Sequence, residues 1–160
     1  MDNVSSEKLY YSVYDTFNDK VTIICNDDAV VGLKMGEVSI ENGTCQKTPL
    51  MDKAVNELKE YLLDNLNFLR DYLETNIPQI KLIESEGTYL IWLDCSALGF
   101  EDKELEKFIV EKAKLWLDSG YIFGKEGEGF QRINIACPRE TLKKALEQLK
   151  EAVDEIKSIK

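Results

Sequence analysis

The chain has 160 residues, 44% hydrophobic and 31% charged, with a net charge of −10 and no histidine. That supplies enough apolar chain for one domain or two small ones. The acidity opposes a basic nucleic-acid footprint, and the missing histidine excludes Ser-His-Asp and Cys-His catalysis along with the commonest zinc ligand.

Residues Tyr10–Phe17 and Lys20–Asn26 are β-branched and aromatic, and Asn18-Asp19 between them predicts a hairpin turn. A third strand is predicted over Ala29–Met35, closed by Gly36. Glu37–Pro49 is polar and is expected as a loop. A long helix follows, with Asp52 as its cap, apolar positions from Ala54 to Leu73 at helical spacing, and Pro78 beyond its end. Two strands are predicted over Ile80–Glu84 and Gly87–Cys95, around a turn at Glu84–Gly87. Then come a helix from Asp102 through Leu105, Phe108, Ile109, Ala113 and Trp116, a flexible Gly-rich loop over Gly120–Gly129, and a strand over Phe130–Ala136. The last helix carries one apolar stripe, Leu142, Ala145, Leu146, Leu149, Ala152, Val153 and Ile156, with Glu140 in its first turn. The whole reads as α+β: an N-terminal three-stranded β unit, then helix, two strands, helix, strand, helix, with helices on one face of a small sheet. No apolar run reaches bilayer length, and Met1–Glu7 lacks the basic start and apolar stretch of a signal peptide. The expectation is a cytoplasmic protein without membrane or nucleic-acid partners.

The residue that points to chemistry is Arg132. The chain has only three arginines, Arg70, Arg132 and Arg139, and Arg132 lies among Phe130, Ile133 and Ile135 in a predicted strand. A guanidinium fork holds a carboxylate by two parallel hydrogen bonds; the structural alternative is an ion pair with Glu86 or Asp94. The four cysteines, Cys25, Cys45, Cys95 and Cys137, form no C-x-x-C pair. Cys25, Cys95 and Cys137 adjoin apolar strand residues and are expected as small buried side chains. Trp92 and Trp116 are expected in the core. Gly124, Gly127 and Gly129 fit no phosphate-binding fingerprint. Asp27-Asp28 and Glu84/Glu86 are acidic pairs, the first read as turn solvation. Lys143, Lys144 and Lys150 alternate with glutamates as a solvated face, unsuited to Schiff-base work.

Four blocks occur in order: Asn67-Phe68-Leu69, Glu86-Gly87-Thr88-Tyr89-Leu90-Ile91-Trp92-Leu93-Asp94-Cys95, Gly120-Tyr121-Ile122-Phe123-Gly124, and Gly127 through Arg139. With them, residues from about Leu58 to Val153 resemble the C-terminal small domain of fold-type I pyridoxal-phosphate enzymes, aminotransferases and cystathionine β-lyases of the MalY/PatB type. The resemblance implies that Arg132 holds the α-carboxylate of an amino-acid substrate. It implies that Gly124, Gly127 and Gly129 form a mobile entrance loop, that Gly87 and Tyr89 pack near a domain interface, and that Arg139 is structural. The family's Schiff-base lysine, its pyridine-nitrogen aspartate and its phosphate cup lie in a large domain upstream, and nothing before residue 55 resembles it.

The front of the chain, Tyr11–Ile24 and Ala29–Gly36 with Thr48–Tyr61, resembles the N-terminal domain of methylated-DNA–protein cysteine methyltransferases. That family's P-C-H-R motif is absent, and Cys137 stands in A-C-P-R instead. The chain is therefore expected to be a hybrid: residues 1–54 a β unit of the methyltransferase type, residues 55–160 an aminotransferase-like small domain, with the seam near Val55–Leu63. It is expected to carry the carboxylate-binding half of a pyridoxal-phosphate C–S lyase or aminotransferase, with no catalytic residue, metal ligand or cofactor-binding residue of its own and no turnover alone. Pyridoxal 5′-phosphate belongs to the parent family. Two other readings stand beside it: an interaction module that docks on a separate large domain or a second copy, and a vestigial repair protein.

Overall fold

The structure is a computed structural model describing residues 8–16, 19–84 and 88–157. The chain divides into two compact units, and the division falls inside a helix, after Tyr61.

In the first unit, β1 (Leu9–Thr16) and β2 (Asp19–Cys25) pair antiparallel, and β2 pairs antiparallel with β3 (Val30–Met35). The hairpin turn expected at Asn18-Asp19 involves Asn18, which lies outside the described residues. The turn into β3 is held by Asn26, whose Oδ1 accepts the N–H groups of Asp28 and Ala29 at 2.9 and 2.6 Å. A fourth strand, β4 (Gly43–Cys45), lies inside the expected loop and pairs parallel with β1, giving the order β3-β2-β1-β4. Three residues are too short a run to show a two-residue period. Period two along β2 turns Val21, Ile23 and Cys25 to a small core with Tyr14, Met51 and Val55.

The long helix α1 runs over Pro49–Asn76. It begins three residues before the expected cap. Thr48 is the capping residue, its Oγ1 accepting the Met51 N–H at 3.3 Å, and Pro49 occupies the first helical position, where no N–H is needed. Asp52 serves elsewhere, accepting the Tyr14 hydroxyl at 2.8 Å.

The second unit holds β5 (Lys81–Ile83), β6 (Leu90–Asp94), α2 (Asp102–Glu111), β7 (Asp118–Ser119), β8 (Phe130–Asn134) and α3 (Arg139–Lys157). Its sheet has the order β5-β6-β8-β7, antiparallel throughout. Ile91, Leu93 and Ile133 face one way, into a core with Leu69, Leu73 and Ile77 of α1, Leu105, Phe108 and Ile109 of α2, and the apolar stripe of α3. All three helices thus cover one face of the sheet. Residues of opposite parity, among them Trp92 and Arg132, stand on the other face.

Two expectations change here. Helix α2 ends at Glu111, not beyond Trp116, because Lys114 adopts a left-handed conformation (φ 56°) and turns the chain out of the helix. Trp116 is consequently 89% exposed and outside the core, while Trp92 is half-buried. The start of α2 is a capping box formed by Glu101 and Glu104, with Asp102 the first helical residue. The turn expected at Glu84–Gly87 lies in part outside the described residues.

Candidate functional site

The antiparallel ladders align one residue from each strand on the helix-free face. Ile83 pairs with Trp92, Trp92 with Arg132, and Arg132 with Asp118. This row runs across the whole sheet, and Arg132 stands inside it. Its guanidinium lies 5.7 Å from the Trp92 ring centroid and 4.3 Å from that of Phe123. The two rings meet edge to face, 5.4 Å apart at 89°. Aromatic faces hold a guanidinium by cation–π attraction while leaving its N–H edges available. Ile83, Trp92, Phe123 and Phe130 wall a cavity of ≈ 360 Å³ beside this cluster.

Among the described residues the ion partner of Arg132 is Asp118, and not Asp94, one of the two partners named in the structural alternative. Nε and Nη2 of Arg132 both donate to Asp118 Oδ2, at 3.1 and 2.8 Å. Asp94 is committed locally instead: its Oδ1 accepts the Ser96 N–H and hydroxyl, and those bonds hold its pKa below the usual value. Glu86 and Gly87 lie outside the described residues. Asp118 escaped sequence reading because β7 is two residues long and sits in a stretch without period.

The Gly-rich segment carries more structure than the expected flexible loop. It forms two short 3₁₀ turns, Gly120–Phe123 and Lys125–Gly127. Tyr121 donates to Glu106 at 2.8 Å and contacts Lys103, and the Gly129 N–H is accepted by Asp102 at 2.8 Å. A Cβ on Gly120 would stand 2.1 Å from the Gly127 carbonyl oxygen, so the two backbones touch where no side chain fits. This packing delivers Phe123 to the Arg132 face.

A second polar centre supports β8 from the core side. Asn65 of α1, fully buried, donates through Nδ2 to the carbonyls of Ile135 and Cys137 at 2.8 and 2.9 Å. Its Oδ1 accepts Arg139 Nε at 2.7 Å, and Arg139 lies over Phe68, 4.6 Å from the ring centroid. Arg139 thus has the structural role expected of it. Tyr89 packs against the core cluster, and its carbonyl accepts the Ile135 N–H at 2.9 Å.

The cysteines divide by burial. Cys25 and Cys95 are buried, as expected, and burial pushes the Cys95 thiol up to about 12. Cys137 is half-exposed, because the chain turns outward between β8 and α3, and partial burial still raises its pKa. Asp27 and Asp28 are exposed in the β2–β3 turn, and Glu84 forms a two-bond pair with Arg70 at 2.8 and 3.1 Å. Among the described residues no group of three potential ligands could hold a metal ion, and no helix is long and apolar enough to cross a membrane.

A four-stranded antiparallel sheet with three helices on one face matches the aminotransferase-type small domain. No family model matches the chain. Its relatives are pyridoxal-phosphate-dependent C–S lyases and aminotransferases. Cystathionine β-lyase PatB of Bacillus subtilis is 38% identical over 99 residues, which make up 62% of this chain and 26% of that one. Cystalysin of Treponema denticola, solved with its pyridoxal 5′-phosphate cofactor, is similar in structure with a TM-score of 0.64 and 38% identity, covering 66% of this chain and 27% of the enzyme. A pyridoxal-phosphate-bound aminotransferase-like structure from Clostridium difficile gives a TM-score of 0.62 at 45% identity, over 64% and 27%. The chain spans about a quarter of the length of the curated relatives it matches.

Proposed function

We propose that the second unit is the substrate-carboxylate-binding small domain of a pyridoxal-phosphate-dependent C–S lyase or aminotransferase, with Arg132 as the residue that holds the α-carboxylate. The observation that carries this reading is the placement of Arg132. It is fixed against a pair of aromatic rings, on the sheet face that no helix of its own unit covers. The similarity to lyases that act on cystathionine supports an amino-acid thioether as substrate class.

The described residues do not fit the cofactor by themselves. A Schiff-base lysine needs a desolvated amine, whereas every described lysine side chain is exposed except Lys150, which is half-exposed and paired with Asp154. Bound to a complete enzyme of this class, the cofactor supplies the electron sink for bond breaking at the α-carbon. This chain's part is binding and orientation of the substrate carboxylate. In this reading residues 1–54 form a separate β unit, and a different polypeptide segment supplies the cofactor's half of the site.

Transplanting this second unit in place of the corresponding segment of the Bacillus subtilis lyase tests the proposal. The chimera is expected to release pyruvate from cystathionine, while the chain alone with added cofactor releases none. Arg132→Gln in the chimera should lower kcat/KM about 100-fold, the loss of one charge-assisted bidentate contact worth about 3 kcal/mol. Unchanged kcat/KM in that variant would remove Arg132 from the substrate site.

One observation favours a docking role in addition. Trp116 at 89%, Ile122 at 58% and Phe123 at 50% are exposed close to the Arg132–Asp118 pair, and apolar surface of this kind is covered in assemblies. A separate large domain or a second copy would supply that cover.

A further inference from the structure

The Arg132 fork already holds a carboxylate. Asp118 is its direct cross-strand neighbour, so the contact is built into the β7–β8 register. Both bonds from Arg132 end on one oxygen, Asp118 Oδ2. They use the Nε–Nη2 edge, whose parallel N–H groups suit bidentate carboxylate binding. Trp92 and Phe123 lie to the same side of the guanidinium, and its N–H groups point outward in its plane, so a ligand carboxylate must come to an edge.

We propose that Asp118 is a resident competitor for Arg132, and that it selects zwitterionic α-amino acids over simple carboxylates. This rests on the reading of Arg132 as a carboxylate site. A ligand on the Nε–Nη2 edge has to displace Asp118. A ligand on the Nη1–Nη2 edge leaves two carboxylates about one guanidinium width apart, and at intermediate dielectric that repulsion weakens binding by about tenfold. Displacement is feasible because the Asp118 side chain is 46% exposed, against 24% for Arg132, and water can solvate it once released. β7 is a two-residue edge strand, which gives that side chain room to turn. A ligand with an ammonium group next to its carboxylate relieves the conflict, since the ammonium can pair with the Asp118 oxygens as the carboxylate takes the fork. A plain monocarboxylate cannot, and a dicarboxylate adds further repulsion. The net charge of −10 acts in the same direction.

The test uses the full chain and the side-chain Nε–H signals of its three arginines in nitrogen-15 spectra, titrated with L-alanine and with propionate. The two probes share a carbon skeleton and differ in the ammonium group. The wild-type Arg132 signal should respond to alanine at lower concentration than to propionate. Asp118→Asn should tighten propionate binding about tenfold and erase the preference, and Asp118→Ser should do the same, with melting temperatures confirming that both variants fold. Unchanged or weaker propionate binding in folded Asp118 variants overturns the competitor role while leaving Arg132 as a carboxylate site. Failure of the Arg132 signal to respond in any of the proteins, up to the solubility of the probes, instead overturns the reading of Arg132 itself and the competitor with it.

Discussion

Asn65 is fully buried, and each of its polar atoms has a partner: two backbone carbonyls on one side and Arg139 on the other. Its position between Leu62 and Leu69, on the apolar stripe of α1, was the one available sign that it faces inward. Sequence reading passed over it because the stripe is defined by apolar residues. Asn65→Ala leaves two carbonyls and a guanidinium each short of a partner, the Ile135 carbonyl in a buried place and the other two in partly buried ones. The expected loss is about 2–4 kcal/mol of unfolding free energy, read by urea denaturation, with the m-value unchanged. Aspartate at this position would keep the Arg139 bond but bring oxygens against both carbonyls, so it should destabilise at least as much. A change below about 0.5 kcal/mol in the alanine variant, the range of ordinary surface substitutions, would mean that this polar centre does not hold β8. Arg132 was legible at the same scale, because an arginine within an apolar alternation stands out. Its partner was not: Asp118, Glu86 and Asp94 are all acidic residues in the same part of the chain, and only strand register decides among them.

At the scale of elements, the long runs were readable, whereas two of the short ones, β4 and β7, were not. β1, β2 and β3 are runs of six residues or more rich in β-branched, aromatic or aliphatic side chains, and α1 and α3 carry a helical period. β4 and β7, with three and two residues, have no period to show and exist because a neighbouring strand offers its edge. The end of α2 illustrates the same limit. Ala113 and Trp116 continue the helical spacing of Leu105, Phe108 and Ile109, yet the helix stops at Glu111. The turn that stops it depends on Lys114 at φ 56°, a conformation that costs a side-chain-bearing residue about 1–2 kcal/mol. Glycine adopts it freely but loses more entropy on folding, about 0.5–1 kcal/mol. Lys114 is exposed and no packing is lost with its side chain. Lys114→Gly is therefore expected to raise the stability of the second unit by about 0.5–1 kcal/mol, seen as a higher melting temperature. A lower melting temperature would show that Lys114 makes a compensating contact.

For the molecule as a whole, two separate cores set the response to pH. Each has a group whose proton is held more tightly in the folded chain. In the first, burial and the bond to Asp52 raise the Tyr14 phenol well above its ordinary value of 10.0. In the second, burial and then the neighbouring Asp94 raise the Cys95 thiol from 9.0 to about 12. A raised folded pKa means that the folded chain binds the proton more strongly than the unfolded chain. The associated stability is complete below the unfolded value and is lost as pH climbs toward the folded one. The acid limb has the opposite sign. Glu37, Glu84, Glu106 and Asp94 are depressed by their hydrogen-bond partners, so their contribution is present at neutral pH and fades as the medium turns acidic. The glutamates are largely exposed, so that limb should be shallow. The alkaline limb should be steep, since Cys95 is buried and its loss is on the order of a few kcal/mol across the interval from 9.0 to about 12. Thermal melts across that interval should show stability falling as pH rises. Cys95→Ala removes the titrating group with little change in shape, so the variant should lose less melting temperature than wild type over the same pH range. Tyr14→Phe should behave likewise for the first unit, after an initial cost for losing the Asp52 bond. Equal alkaline slopes in wild type and Cys95→Ala would mean that the thiol ionises only after the core around it has already opened.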